Sequence, residues 1–236
     1  MRYKQLLLQD IGGLKTADHK EVRTGLLYRS GDLFNILPRD LERVQSLNLK
    51  QVVDLREEET ARRRPDSFTP PRAVNLPLRL GPFEELNLRA ALRREIDWAR
   101  FDFQQLYVLI LEENKDYLNQ FLNLLADGPR PLLLHCTAGK DRTGIFAAAL
   151  LLALRVPAAQ VMRWYLSIEP HLKKHTPSWV KFLVWYSKTP WETIYLNRPA
   201  IQAALDHLDR QYQGIEGYLD EIGFTRLGEL REIFLK

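Results

Sequence analysis

The sequence predicts an α/β fold: a sheet of parallel character wrapped by helices, with a helical C-terminal portion. Three observations predict it. Short apolar, β-branched or leucine-rich runs alternate with longer stretches of helical spacing up to about residue 135. After residue 136 the pattern is helical to the end, broken near Pro157, Pro170, Pro177, Pro190 and Pro199. No repeat, low-complexity tract or Gly/Ser linker divides the 236 residues, so one domain spanning 1–236 is expected.

The elements follow in chain order. Gly25 to Ser30 reads as a buried strand ending in a polar loop. Asp40 to Leu49 has helical spacing, with Pro38 near its start. Gln51 to Leu55 is a second strand, running into a charged stretch from Arg56 to Arg64. Ala73 to Leu78 is a third. From about Glu84 to Ala126 the spacing is mostly helical, with Phe103, Leu106, Tyr107 and Ile110 on one face. Asp127-Gly128-Pro129 supplies a helix stop, with glycine at the position that favours a left-handed cap. Leu132 to His135 is the next strand, and Ile145 to Leu154 lies in a strongly apolar helix.

Bulk composition narrows the class. Hydrophobic content of 45% and charged content of 27% are ordinary for a globular protein. The longest apolar run, about ten residues, falls short of the ~20 a membrane span needs. The start lacks the apolar region and cleavage site of a secretory signal. With one cysteine no internal disulfide forms, so a reducing cytoplasmic home is expected, with export by a non-classical route left open. A net charge of +4 and a pI near 9.1 suit anionic substrates or peripheral contact with an anionic membrane. No long Lys/Arg block points to nucleic acid. A monomer is expected.

The chemistry concentrates in His135-Cys136-Thr137-Ala138-Gly139-Lys140-Asp141-Arg142-Thr143-Gly144. This run places the lone thiol between a strand and a helix, with an arginine six positions later. An ordinary thiol, with pKa near 8.5, is only about 3% ionised at neutral pH. Unpaired N–H groups at a helix start, together with nearby cations, lower that pKa. The N–H groups of residues 137–142 also suit three phosphate oxygens, and Arg142 adds a planar fork that lysine cannot copy. The pattern therefore points to a Cys136 thiolate attacking phosphorus, with Thr137, Ala138, Gly139 and Lys140 lining the cradle. Thr143 is placed to hydrogen-bond the sulfur. A phosphate-binding module without turnover uses the same cradle but has no need of the thiol. A rhodanese-type sulfurtransferase does not require the Arg-Thr-Gly ending. A Walker A reading fails, because Asp141 follows Lys140 and Leu134 stands where the first glycine belongs. No metal or cofactor is expected; His171 and His175 lie four apart without a supporting ligand pattern.

These residues resemble the atypical bacterial tyrosine and phosphoinositide phosphatases, whose loop reads His-Cys-x-x-Gly-Lys-Asp-Arg-Thr-Gly. The likeness extends to Asp10-Ile11-Gly12-Gly13, Gly25 to Gly31, Val53 to Arg56 and the Tyr218 to Arg231 region. It implies the cysteine-dependent phosphatase fold, a central, mostly parallel sheet flanked by helices. It also implies activity on phosphotyrosine proteins, with some members acting on phosphoinositides. Two positions depart from the pattern: Gln9 stands where arginine is usual, and Trp164 precedes Tyr165 where aspartate is usual.

The proton donor is left open at this level. Asp141 is one candidate, favoured by the resemblance; Glu84, Glu85, Asp97 and Asp102 are the others. Lys140 is read as a rim lysine for a further phosphate, against a plain surface lysine. Arg56 is read as contacting substrate or, with Asp54, as either buttressing the loop or forming an ordinary strand-end ion pair. Residues 161–191 form a candidate helical lid carrying Trp164, Trp179, Trp185 and Trp191 among lysines. Trp179, Phe182, Leu183 and Tyr186 share one helical face, suited to core packing or to a lipid-facing surface.

Overall fold

The computed structural model describes residues 5–81, 83 and 101–236. Its centre is a five-stranded sheet of β1 (Leu8–Asp10), β2 (Leu27–Ser30), β3 (Gln51–Asp54), β4 (Arg72–Asn75) and β5 (Leu132–His135). The strand order is β1-β2-β5-β3-β4. β2, β5, β3 and β4 run parallel, and only the short edge strand β1 is antiparallel. β3 and β5 are buried at every position, as parallel strands covered on both faces must be. β4 stops at Asn75, two residues before Pro77, which has no N–H to continue the ladder.

Helices cover the sheet. In chain order they are α1 (Pro38–Ser46), α2 (Glu58–Arg63), α3 (Phe103–Glu112), α4 (Lys115–Asp127), α5 (Asp141–Ala153), α6 (Ala158–Leu166), α7 (Glu169–His175), α8 (Ser178–Tyr186), α9 (Arg198–Tyr212), α10 (Ile215–Glu221) and α11 (Leu227–Phe234). Leu106, Tyr107 and Ile110 of α3 are buried, as their shared face predicts. The helical reading of residues 84–100 lies outside the described residues.

α5 is the central helix. Its Thr143 to Leu151 stretch is buried on all sides, in a core with Leu132, Leu134, Phe121 and Tyr165. It has a hydrophobic exterior because both the sheet and the C-terminal helices pack on it. A smaller cluster, including Leu6, Leu33, Val44, Val52 and Leu133, fills the opposite face of the sheet.

One helix stop works differently from its expectation. α4 ends at Asp127 as read, but its cap Gly128 has φ −76°, not a left-handed value. Glycine is needed there for room: a Cβ would lie 2.3 Å from the Leu124 carbonyl oxygen and 2.5 Å from Gln51 Oε1.

Candidate active site

The parallel register brings the strand ends together. Ser30, His135 and Asp54 are neighbours across β2, β5 and β3, and Asn75 pairs with Asp54 on β4. The chain leaves β5 at His135, forms the loop 136–140 and enters α5 at Asp141. The candidate loop thus sits where the carboxyl ends of parallel strands place ligand sites in open α/β sheets.

The loop is held tightly against β2. Gly139 has φ +68°, and a Cβ on it would lie 2.4 Å from the Ser30 carbonyl oxygen. Asp32 N–H donates to the Thr137 carbonyl at 3.1 Å. Among the described residues no acceptor takes the N–H groups of Thr137, Ala138, Gly139 or Lys140. The Thr137, Gly139 and Lys140 carbonyls of this turn are engaged by β2 and the residues that follow it, and its N–H donors are left available.

Cys136 is buried at the base of this turn. Burial pushes its thiol up, but the Arg142 charge and the adjacent Thr143 hydroxyl and N–H outweigh that. The net result is a thiol more acidic than normal, despite some opposition from Asp141. Arg142 is aimed by three acceptors: Nη1 donates to Glu57 Oε1 at 2.8 Å and to the Leu55 carbonyl at 3.3 Å, and Nη2 to Thr137 Oγ1 at 3.2 Å. The structure therefore brings Cys136, Arg142, Thr137 and Thr143 together.

Lys140 departs from the rim position expected of it. Its side chain is 3% exposed. Its ammonium donates to the carbonyls of Glu192 at 2.8 Å, Thr193 at 3.1 Å and Tyr195 at 2.9 Å. All three donors of the ammonium are used inside the protein. The partners are backbone atoms some fifty residues away, which nothing in the motif reveals.

Arg56 likewise faces inward rather than toward a substrate. Its guanidinium is buried and forks onto Asp54, with Nη2 to Oδ2 at 2.6 Å. It also reaches Asp66 Oδ1 at 3.0 Å and the Arg64 carbonyl at 2.9 Å. Asn75 ties the Asp54 and Arg56 carbonyls together at 2.9 and 2.8 Å. This is the buttressing geometry. Asp66 completes it with an ion-pair contact to His135 Nε2 at 3.1 Å. Burial raises the Asp66 carboxyl, but the bond and charge of His135, helped by Arg56, bring it below its usual value. Asp54, Asp66 and His135 offer one ligand atom each within 4.8 Å of one another. Arg56 already ion-pairs with both carboxylates, which makes this a poor cation site.

Two residues behind the loop were not singled out by sequence reasoning. Arg29, fully buried, donates Nη2 to the Gly139 carbonyl and, at 3.4 Å, to that of Lys140. Its guanidinium carbon lies 4.6 Å from the Trp164 ring centroid. Trp164 therefore stacks on this arginine. Burial lowers the Arg29 pKa to about 10, with Tyr165, Cys136, Tyr107 and Asp141 opposing the drop. Tyr107 donates to Asp141 Oδ1 and shares a hydrogen bond with Tyr165. Burial first, then the nearby Asp141 charge, raises both phenols well above their usual range, so they act here as neutral donors. The strand position of Arg29 and the helical face of Tyr107 were legible, but their target was not.

Of the candidate proton donors, Asp141 stands at the loop, held by Tyr107 and 3.5 Å from Lys140 Nζ. Asp102 caps α3, accepting from the Gln104 N–H at 2.8 Å. Glu84, Glu85 and Asp97 lie outside the described residues. Gln9 donates to Ser167 Oγ at 3.0 Å.

The loop opens into a cleft of about 780 Å³. Thr137, Ala138 and Gly31 line one side, Leu172, His175, Trp179 and Val180 of α7 and α8 another. Core packing does not explain α8: Trp179, Phe182 and Tyr186 are exposed, and Val184 is its one buried residue.

A strand-loop-helix turn that cradles an oxyanion over an acidified thiol and an oriented arginine defines the cysteine-dependent phosphatases. A model of the tyrosine phosphatase family matches residues 8–236, and the chain belongs to that family. It is 36% identical over 172 residues to a Cupriavidus necator protein whose name assigns it provisionally as a tyrosine-protein phosphatase. That match covers 67% of this chain and 58% of the relative, so it spans little more than half of the relative's length. A tyrosine-protein phosphatase of Nostoc commune is 28% identical over 211 residues, covering 84% of this chain and 69% of that protein. Among solved structures, TpbA of P. aeruginosa aligns with 79% of this chain and 90% of its own, at 17% identity and a TM-score of 0.36. The Orf virus tyrosine phosphatase OH1 aligns with 78% and 82%, at 17% identity and 0.30. No described helix is long and apolar enough to cross a membrane.

Proposed function

We propose that this protein hydrolyses phosphomonoesters through a phosphocysteine intermediate, acting on phosphotyrosine and, as a further substrate class, phosphoinositides. The observation that carries the reading is the buried Cys136 thiol at the base of a turn whose N–H groups at 137–140 have no acceptor among the described residues. Arg142, already aimed along the loop, supplies two further donors.

In the first step the thiolate attacks phosphorus as the bond to the ester oxygen breaks. Loop N–H groups and Arg142 stabilise the charge spread over the equatorial oxygens. Asp141 gives its proton to the departing oxygen, and Tyr107 holds that carboxyl in place. In the second step water attacks the phosphocysteine and returns a proton to Asp141. The sulfur leaves as a thiolate, stabilised by Thr143, and inorganic phosphate is released.

Lys140 and Arg56 act in this reading as positioning residues. Lys140 ties residues 192–195 to the loop, and Arg56 fixes the strand ends beneath it. The α7–α8 segment, which forms a wall of the cleft, serves as a lid over it.

Turnover of p-nitrophenyl phosphate and of a phosphotyrosine peptide tests the proposal. Wild-type turnover abolished by Cys136→Ser is expected, with trapping of a phosphorylated cysteine on rapid acid quench. A wild-type protein that binds phosphate but never turns over would instead be a phosphate-binding module.

A further inference from the structure

Residues 170–191 carry two features that phosphoryl transfer does not use. The first is an uncovered aromatic face. Phe182 and Trp185 are 57% and 69% exposed, and Trp179, Tyr186 and Trp191 are also exposed. The rings adjoin: Phe182 lies 5.8 Å from Trp185 and stacks at 6.2 Å on Tyr186. The second is charge. No Asp or Glu occurs between residues 170 and 191, whereas Lys173, Lys174, Lys181 and Lys188 do. Lys174 is exposed on α7, Lys173 is exposed there and pairs with Glu169 at 2.9 Å, and Lys188 is exposed just beyond α8. Lys181, between the rings, leans its ammonium toward the Lys173 carbonyl at 3.3 Å.

We propose that this face docks on an anionic phospholipid surface, with the α8 rings at the level of the headgroups and acyl boundary and the lysines against lipid phosphates. Charge complementarity selects that occupant. Aromatic rings among lysines suit the membrane interface, where rings sit at headgroup depth and cations meet anionic lipid. Protein-protein interface cores are instead depleted in lysine. Pairing with a second copy of this face would set lysines against lysines. Trp179 and Val180 belong both to α8 and to the cleft that Thr137 and Ala138 line. Docking therefore turns the mouth of the site toward lipid headgroups. That consequence, a preference for membrane-borne phosphomonoesters, rests on the phosphatase reading; the docking itself does not.

Sedimentation with vesicles of phosphatidylcholine, with and without phosphatidylglycerol, tests the docking on the full chain. Wild-type protein is expected to pellet with the phosphatidylglycerol vesicles and much less with phosphatidylcholine alone. Phe182→Ser with Trp185→Ser is expected to lose this binding. Lys181→Gln with Lys188→Gln is expected to weaken it about fivefold per lysine removed. Hydrolysis of p-nitrophenyl phosphate, read separately, reports folding and turnover; none of the four substituted residues lines the cleft, so it is expected to be unchanged in both double variants. If the aromatic variant fails to fold, the lysine variant decides. Absence of wild-type binding would overturn the proposal, as would lysine variants that bind like wild type. So would a concentration-dependent dimer abolished by the aromatic pair.

Discussion

Lys140→Met removes the ammonium that joins the active-site loop to residues 192–195 while keeping most of the side-chain stem. The three hydrogen bonds lost measure 2.8, 3.1 and 2.9 Å, each from a charged donor. Hydrogen bonds to charged groups contribute ~1.5–3 kcal/mol each. Water entering the gap recovers part of that, and neighbouring bonds are not additive. A net local loss of about 3 kcal/mol follows, roughly a hundredfold in the opening equilibrium of the segment. Hydrogen exchange reads this directly at the amides of Thr193, Ile194 and Tyr195, whose partners are the carbonyls of Pro190 and Trp191. Protection there should fall about a hundredfold, up to the ceiling set by global stability, while β5 amides stay protected. Any loss of turnover should be equal for aryl phosphates and phosphoinositides, because the segment walls the cleft for both. Unchanged protection, with activity lost on phosphoinositides alone, would refute the latch and restore a direct phosphate contact.

Thr143→Ala should make the Cys136 thiol less acidic by about 1–2 pH units, the value of one hydrogen bond to a charged group; the pH profile of iodoacetamide alkylation measures it. Gly139→Ala forces a left-handed φ and a contact with the Ser30 carbonyl. A loss of about 2–3 kcal/mol in urea unfolding is expected, with near-complete loss of turnover. Asp66 is held below its ordinary carboxyl value by His135 and Arg56, against its burial. Its stabilising contribution is therefore full above the unfolded carboxyl pKa, near 3.9, and disappears as pH falls through the lower folded value. Asp66→Asn should flatten the acid limb of a stability-pH curve below about pH 4 and lower stability at neutral pH.

The parts of the site made from contiguous sequence were legible. β5 spans Leu132–His135 as read, and α5 (Asp141–Ala153) carries the apolar run read from Ile145. Strand-loop-helix with Cys136 at the turn needs only local pattern. The edge strand β1 was not legible: three half-buried residues carry no usable alternation. The role of Lys140 was missed for another reason. Its partners are backbone carbonyls, which any residues at 192–195 would offer. Trp179, Phe182, Leu183 and Tyr186 show the opposite limit, because helical periodicity reports a shared face and does not say whether protein covers it. Arg56 was half legible: its strand-end position placed it beneath the site, but only the fold brings Asp66 and Arg64 around to enclose it.

Arg29 lies wholly out of water under the turn, and Arg142 is 11% exposed. The lysines of residues 173–188 lie largely on the surface. The site thus holds positive charge in two layers with different access to counterions. Dissolved salt screens the outer layer within about 8–10 Å and scarcely reaches the inner one. Raising ionic strength should therefore slow the capture of anionic substrates while leaving the acidity of the sulfur almost untouched. A salt titration thereby separates how the protein gathers its substrate from how it prepares its nucleophile.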